Sequence, residues 1–181
     1  MSTTTPASRL GLAAPALLAF VALSAATRLG LALFNADTSL FEPLRFGPAL
    51  LLGTGYDLAV ALWWVLPLVL LGWCWPAARG RRALGVVAML LVGVLMGGLV
   101  FVSVAEFVFW NEFASRFNFI AVDYLLYTRE VIGNIRESYP LPLLFGGIGV
   151  AALVATRLLA GATRRAAAAL APSLRRRSLH A

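Results

Sequence analysis

The stretch Leu84 to Trp110, LGVVAMLLVGVLMGGLVFVSVAEFVFW, decides the fold class of this chain. It contains a single ionisable side chain, Glu106. A helix needs about 20 apolar residues to cross the roughly 30 Å hydrocarbon core of a bilayer, and this stretch exceeds that length. A barrel strand would be about half as long, and lipid offers no partners to exposed backbone groups. The stretch therefore predicts a transmembrane α-helix.

Three further apolar segments reach the same length: Leu10 to Phe34, Gly55 to Trp75 and Leu141 to Ala162. The composition agrees, because 61% of residues are hydrophobic, only 13% are charged and the mean hydropathy is +0.86. These values are typical of a polytopic membrane protein and exclude a soluble domain. We predict an all-α membrane domain over residues 1–162, with four transmembrane helices, followed by a basic cytoplasmic tail over residues 163–181.

The charges predict the orientation of these spans. Ten of the arginines share one predicted side of the membrane with no acidic residue among them: Arg9, Arg79, Arg81, Arg82, Arg157, Arg164, Arg165, Arg175, Arg176 and Arg177. The positive-inside rule makes that side cytoplasmic. All eight acidic residues fall on the other side or in the outer ends of the spans. Both termini are therefore predicted to be cytoplasmic.

The net charge of +7 does not indicate nucleic-acid binding. The arginines are dispersed beside apolar spans and have no aromatic stacking platform among them. Attraction to anionic phospholipid headgroups on the inner leaflet accounts for the same charges. We expect membrane lipids as partners, together with a possible homo-oligomer or partner membrane helices, and no nucleic acid.

The N-terminal span has a second interpretation as a cleaved signal peptide. Arg9 precedes the apolar run, and small residues occur between Ala22 and Ala26. The run is long, however, and resumes past Arg28 through Leu33. An uncleaved signal-anchor span fits this length better.

Glycines and one proline modify the predicted spans. Gly93 and Gly97 form a GxxxG pair in the third span, and we expect them to pack against a neighbouring helix. Gly146, Gly147 and Gly149 in the fourth span are expected to do the same. Pro67 removes one backbone hydrogen bond from the second span and is expected to bend it.

An intramembrane polar cluster is predicted from Arg28, Asp57 and Glu106. Counted along alternating helices, each lies toward the outer end of its span, so the three could meet at similar depth. A charge in hydrocarbon costs a few kcal/mol, so pairing is expected. We predict an Arg28 to Asp57 bridge with Glu106 at the membrane interface. The alternative is a polar pocket that receives a lipid headgroup from the outer leaflet.

The segment from Asn111 to Tyr139 is the most polar part of the chain between the spans. It holds four of the eight acidic residues and three of the fifteen arginines. Apolar residues recur in it at intervals of three or four: Phe113, Phe117, Ile120, Tyr124, Tyr127, Val131 and Ile135. This periodicity predicts an extracytoplasmic interfacial amphipathic helix.

The same segment supplies the candidate lipid-headgroup residues. Arg116 or Arg129 is suited to pair with a lipid phosphate, since guanidinium binds phosphate well. Asp123 and Glu130 would then orient the arginines or bind glycerol hydroxyls, and Tyr124 lies beside them. The alternative role for the segment is a membrane-surface anchor, and the spacing alone leaves both open.

A family resemblance rests on this segment. The run Glu112-Phe-Ala-Ser-Arg-Phe-Asn-Phe-Ile-Ala-Val-Asp-Tyr124 is followed by Tyr127-Thr-Arg-Glu-Val-Ile-Gly-Asn-Ile135 and Arg136-Glu-Ser-Tyr-Pro140. Over these roughly thirty residues the chain resembles the membrane region of bacterial lipoteichoic-acid-synthase-like proteins. Those proteins are phosphoglycerol transferases and related sulfatases of the alkaline phosphatase superfamily. Elsewhere the likeness is topological only.

The resemblance implies a location in the bacterial inner membrane and separate domains for membrane anchoring and for catalysis. In that family a membrane domain, commonly of five helices, carries an extracytoplasmic domain that uses a threonine nucleophile and a divalent metal (Mn, Mg or Zn). This chain departs from that pattern, because we count four spans and its single histidine, His180, lies in the basic tail. We therefore expect the N-terminal membrane portion of such a protein, with no catalytic residue and no metal or other cofactor of its own.

Other catalytic arrangements fail for lack of the required residues. A Ser-His-Asp triad would need His180 beside an acid on the opposite side of the membrane. One cysteine, Cys74, and one histidine are too few for a zinc site. Gly53-Thr-Gly55 is too short for a nucleotide-binding loop.

The predicted function is a membrane anchor that presents outer-leaflet lipid to a phosphoglycerol-transferase or sulfatase-like enzyme and is inactive by itself. The alternative is a small non-enzymatic scaffold or interaction protein.

Overall fold

The computed structural model describes residues 9–34, 43–76, 80–117, 133 and 135–178. All regular structure within these ranges is helical. A short 3-10 helix, Arg9–Leu12, precedes five long or medium α-helices: α1 Ala14–Phe34, α2 Pro43–Trp64, α3 Leu66–Cys74, α4 Gly80–Phe113 and α5 Leu141–Ser178. The prediction of an all-α polytopic protein is confirmed.

Within the described ranges, four stretches are long and apolar enough to cross a membrane: Ala14–Phe34, Gly47–Cys74, Arg82–Phe113 and Leu141–Leu170. They correspond to the four predicted spans. The second begins at Gly47 rather than Gly55, and the fourth passes Ala162 without a break and enters the predicted basic tail. The tail is rich in alanine and arginine, which are strong helix formers, so the helix continues where the hydropathy falls.

The second span is interrupted near Pro67, as predicted. Val65 separates α2 from α3, and Pro67 lies in the first turn of α3. Proline has no N–H with which to bond the carbonyl of Trp63, four residues earlier, and its ring would crowd that carbonyl. The Leu68 N–H instead donates to the Val65 carbonyl at 2.9 Å, which starts the new helix.

Helix α4 lies at the centre of the bundle and runs antiparallel to α5. Its buried side chains pack with residues of the 3-10 helix, α1, α2, α3 and α5 in one core: Leu12, Phe20, Ala61, Leu68, Leu84, Val92, Met96, Ala167 and Leu170. A third of the apolar window of α4 is buried (33%), whereas none of the corresponding window of α5 is. Helix α5 therefore lies at the periphery. Its buried residues, Thr163, Ala167 and Leu170, lie near Arg164 and Arg165, at what is here named the arginine-bearing end.

The predicted glycine packing is only partly observed. A side chain at Gly93 would make ordinary contact with Thr156 of α5, but at Gly97, Gly146, Gly147 and Gly149 it would meet open space. The three glycines of α5 are exposed.

Two glycines that the sequence pattern did not select lie close to an aromatic ring of another helix. Gly30 of α1 accommodates the Phe107 ring of α4, which would lie 2.9 Å from an added Cβ. Gly98 accommodates the Trp64 ring at 3.0 Å, and the Trp64 indole N–H donates to the Leu95 carbonyl at 3.3 Å. Neither glycine belongs to a GxxxG pair, and each receives a single aromatic ring.

Candidate functional site

The first polar element of the site is an ion pair between α1 and α2. Arg28 Nη2 lies 2.7 Å from Asp57 Oδ2, and the two side chains are only 13% and 15% exposed. This contact confirms the predicted bridge. A pair so shielded from solvent connects two helices that are otherwise held together by apolar contacts.

Gly53 provides the surface on which the Arg28 guanidinium lies. A Cβ atom at Gly53 would come within 2.6 Å of both Nη1 and Nη2 of Arg28. Gly53 and Asp57 are four residues apart and therefore share one face of α2. That face offers a carboxylate and, one turn away, a flat space for the planar cation.

The Arg28 pair leaves one donor unused among the described residues. Nη1 of Arg28 is buried and has no hydrogen-bond partner there. A buried donor without a partner loses hydration that nothing replaces. The position of Arg28 therefore depends on the carboxylate of Asp57 and on the space at Gly53.

The second polar element is an ion pair between Glu106 and Arg116. Arg116 Nη2 donates to both carboxylate oxygens of Glu106 at 2.8 Å. The Glu106 side chain is 12% exposed and that of Arg116 is 41% exposed. The prediction kept Glu106 outside the Arg28 to Asp57 bridge, and the Glu106 carboxylate pairs instead with Arg116.

A tight turn at the end of α4 brings Arg116 back to Glu106. Ala114 has a φ of 48°, in the left-handed region. Its N–H donates to the Trp110 carbonyl at 2.8 Å, which is the bond of an αL helix cap. Phe117 then packs on Phe109, with ring centroids 5.1 Å apart. The chain therefore reverses over the last turns of α4.

This turn corrects the start of the predicted interfacial helix. Residues 111–113 belong to α4, and residues 114–117 are not helical. Residues 135–138 are helical, and the Asn111 amide donates to the Tyr139 hydroxyl at 3.1 Å. The spacing of apolar residues at three or four does not stop at the turn, because Phe113 before it and Phe117 after it both pack on Phe109. Four of the predicted headgroup residues lie outside the described residues: Asp123, Tyr124, Arg129 and Glu130.

An apolar groove of about 760 Å³ lies between α1, α4 and α5, and is here named the α1–α4–α5 groove. Small residues of α1 form one wall. Its lining includes Ala22, Ala26, Ser103, Phe107, Val154 and Leu158. Four of these lining residues, Ala22, Ala26, Val154 and Leu158, are exposed, so the groove is open along one side.

The only hydroxyl groups on the described lining of this groove are already bonded to their own helices. Thr27 Oγ1 donates to the Leu23 carbonyl at 2.9 Å, and Ser103 Oγ donates to the Leu99 carbonyl at 3.0 Å. The groove therefore offers apolar contacts and no free side-chain donor from these residues. This surface suits a hydrocarbon chain better than a polar solute.

None of the four ion-pair residues lines the α1–α4–α5 groove, but two of them are next in sequence to lining residues: Arg28 follows Thr27, and Glu106 precedes Phe107. The site thus combines an apolar groove with charged residues beside the last lining residue of α1 and of α4. Sequence reasoning missed the groove and Gly53. A glycine four residues before an intramembrane acid was the available signal for Gly53.

The described residues contain no group of three or more His, Cys, Asp or Glu side chains that could hold a metal ion. Comparisons with protein-family models, curated proteins and solved structures found no match to this chain.

Proposed function

We propose that this chain is a membrane domain that binds a phospholipid at the end of the bundle that carries Glu106 and Arg116, here named the acidic end. It presents this lipid to a phosphoglycerol-transferase or sulfatase-like catalytic domain. The observation that supports the proposal best is the α1–α4–α5 groove, with Arg28 and Glu106 next in sequence to its lining residues Thr27 and Phe107. A groove of about 760 Å³ lies within the range of roughly 300 to 1,000 Å³ usual for small-ligand sites.

The groove would hold an acyl chain of the lipid. Its lining residues come from three helices, and the two hydroxyls among them are satisfied within their own helices. A hydrocarbon chain needs no hydrogen-bond partner and gains contact with the Ala22, Ala26 and Val154 side chains. The open side of the groove would let the chain enter from the surrounding lipid.

Arg116 would bind the lipid phosphate. Glu106 holds its Nη2 nitrogen, and the rest of a guanidinium carries further N–H donors for a phosphate oxygen. Its 41% exposure leaves room for a ligand. Arg129, Asp123, Tyr124 and Glu130 are proposed from the sequence to complete the headgroup contacts.

The chemistry itself is assigned to a separate domain. In the family that residues 112–140 resemble, a threonine nucleophile and a divalent metal outside the membrane perform the transfer. We assign no catalytic step to residues of this chain. The chain would hold the lipid headgroup at the membrane surface, where an extracytoplasmic catalytic domain can reach it.

A photoreactive phosphatidylglycerol tests the lipid site. In vesicles that contain the purified chain, Ala22→Trp should fill the α1–α4–α5 groove and reduce lipid crosslinking about tenfold. Ala59→Trp is the matched control, because Ala59 is an exposed alanine of α2 outside this groove. Equal crosslinking in the two variants would show that the groove does not hold the lipid.

Turnover tests the link to an enzyme. A soluble phosphoglycerol-transferase domain should hydrolyse a fluorescent phosphatidylglycerol faster in vesicles that contain the chain than in empty vesicles. The Ala22→Trp variant should remove the gain. No gain with the native chain would contradict the presenting role, and turnover by the chain alone above a metal-free control would contradict its inactivity.

A second candidate function is a non-enzymatic scaffold. The exposed glycines of α5, Gly146, Gly147 and Gly149, favour it, because small residues allow a second helix to approach closely. Replacing Gly147 with Leu should then reduce crosslinking between chains in vesicles. It should leave lipid crosslinking at the α1–α4–α5 groove unchanged.

A further inference from the structure

A second groove lies at the opposite, arginine-bearing end of the bundle, between α4 and α5. Its volume is about 670 Å³, and it is here named the α4–α5 groove. The lining includes two arginines and several apolar side chains: Arg82, Val86, Met89, Leu90, Arg164 and Ala168. One arginine comes from each helix.

The helix register places the two arginines at similar depth. Gly93 of α4 faces Thr156 of α5, and the helices are antiparallel, so Arg164 is level with Gly85. Arg82 lies three residues beyond Gly85, which corresponds to roughly 4.5 Å along the helix axis. Both guanidinium groups can therefore reach one ligand at the end of the groove.

Apolar residues continue from each arginine along the groove. Val86 and Met89 follow Arg82 at helical spacing on one face of α4, and Ala168 shares a face of α5 with Arg164. The α4–α5 groove thus has a cationic rim and an apolar body. That combination matches an amphiphile with an anionic head.

No protein carboxylate is available nearby in sequence to neutralise this rim. The chain has no acidic residue in 1–36, 58–105 or 138–181. Arg82 and Arg164 are both exposed. Two uncompensated cations beside an apolar groove favour an anionic ligand over a zwitterionic one.

We propose that the α4–α5 groove binds one anionic phospholipid of the leaflet at that end of the bundle. The phosphate lies between Arg82 and Arg164, and an acyl chain lies along Val86, Met89 and Leu90. This site goes beyond the proposed function and is independent of it, because it lies at the other end of α4 and requires only that the apolar helices sit in a membrane.

Native mass spectrometry of the full chain in non-ionic detergent tests the site with phosphatidylglycerol and phosphatidylcholine of identical chains. The double variant R82Q/R164Q should bind phosphatidylglycerol about 30-fold more weakly, since each arginine near a membrane surface contributes roughly fivefold. The control R157Q/R165Q removes the same charge from exposed arginines of α5 outside the groove. It should change binding less than threefold. Equal losses in both double variants would overturn the proposal in favour of a diffuse attraction.

Two tryptophan substitutions test whether an acyl chain lies in the α4–α5 groove. Ala168→Trp should fill the α4–α5 groove and abolish the retained lipid, whereas Ala169→Trp, at the adjacent exposed alanine, should not. An unchanged Ala168→Trp variant, or competition by soluble glycerol phosphate as strong as by intact lipid, would overturn the site. Repeating the titration with Ala22→Trp, which fills the other groove, separates failure here from failure of the proposed function.

Discussion

The two arginine–carboxylate pairs of the acidic end have nearly the same length, yet one links two helices and the other closes a turn within one stretch of chain. Arg28 and Asp57 are 29 residues apart and connect two helices at 2.7 Å. Glu106 and Arg116 are 10 residues apart and close a turn at 2.8 Å. The first pair is shielded on both sides, whereas the second has one exposed partner. The two pairs therefore differ in the burial of the arginine and hardly at all in the distance between the charged groups.

This difference has an energetic basis. Removal of one partner from a buried pair leaves an uncompensated charge, which costs about 3 to 5 kcal/mol. Removal of the Glu106 charge leaves the exposed Arg116, which water can solvate, so the cost should stay near the roughly 0 to 1 kcal/mol of a surface pair. The Arg28 pair should therefore control folding, and the Arg116 pair should control recognition.

The largest effect is expected from Asp57→Asn. Arg28 then loses its charged partner, and the free energy of unfolding should fall by about 3 kcal/mol. Unfolding in mixed micelles, followed by circular dichroism, measures the change. Tyr56→Phe, at the exposed neighbouring residue, is the control and should be neutral. Lipid crosslinking by the folded fraction of Asp57→Asn should be unchanged, and its loss would instead favour a headgroup pocket at Arg28.

A smaller loss is expected from Gly53→Val. The new Cβ would occupy the position of the Arg28 guanidinium, and the resulting displacement should cost about 2 kcal/mol. Gly55→Val adds the same side chain where nothing lies within 4 Å. The difference between the two variants in micelle unfolding isolates the guanidinium contact. Equal losses would mean that only the helix propensity had changed.

A gain of about 1 kcal/mol is expected from Ala114→Gly. Glycine adopts the φ of 48° without the steric cost that alanine has there. Ala105→Gly, inside α4, should have the opposite sign because glycine weakens a helix interior. Thermal unfolding of both variants measures the pair. Destabilisation by both would argue against an αL cap at Ala114.

The smallest stability effect is expected from Glu106→Gln, at less than about 1 kcal/mol. Arg116 loses its anchor, so crosslinking of photoreactive phosphatidylglycerol should nevertheless fall several-fold. Glu112→Gln, an exposed acid of the last turn of α4, is the control for charge. If Glu106→Gln behaved like Asp57→Asn in unfolding, the contrast between the two pairs would not hold.

The sequence predicted the helices well and the contacts between them unevenly. Depth counting along the spans found the Arg28 to Asp57 bridge, because a charge in hydrocarbon has few possible partners. It gave Glu106 no partner, since it could not foresee the turn at Ala114 that returns Arg116 to α4. The GxxxG pattern selected Gly97, whereas the close ring contacts occur at Gly30 and Gly98. A motif gives the spacing of small residues but not the rotation of the helix that carries them.

The sequence by itself determined the number and kind of the spans, because helix length and hydropathy are set by the thickness of the hydrocarbon core. It also predicted that ten of the arginines lie on one side of the spans with no acidic residue among them. Only the tertiary structure decided which carboxylate each arginine meets and where the two grooves lie. Those features depend on how α1, α4 and α5 are rotated against one another. Hydropathy does not encode that rotation, because lipid and protein interior are equally apolar.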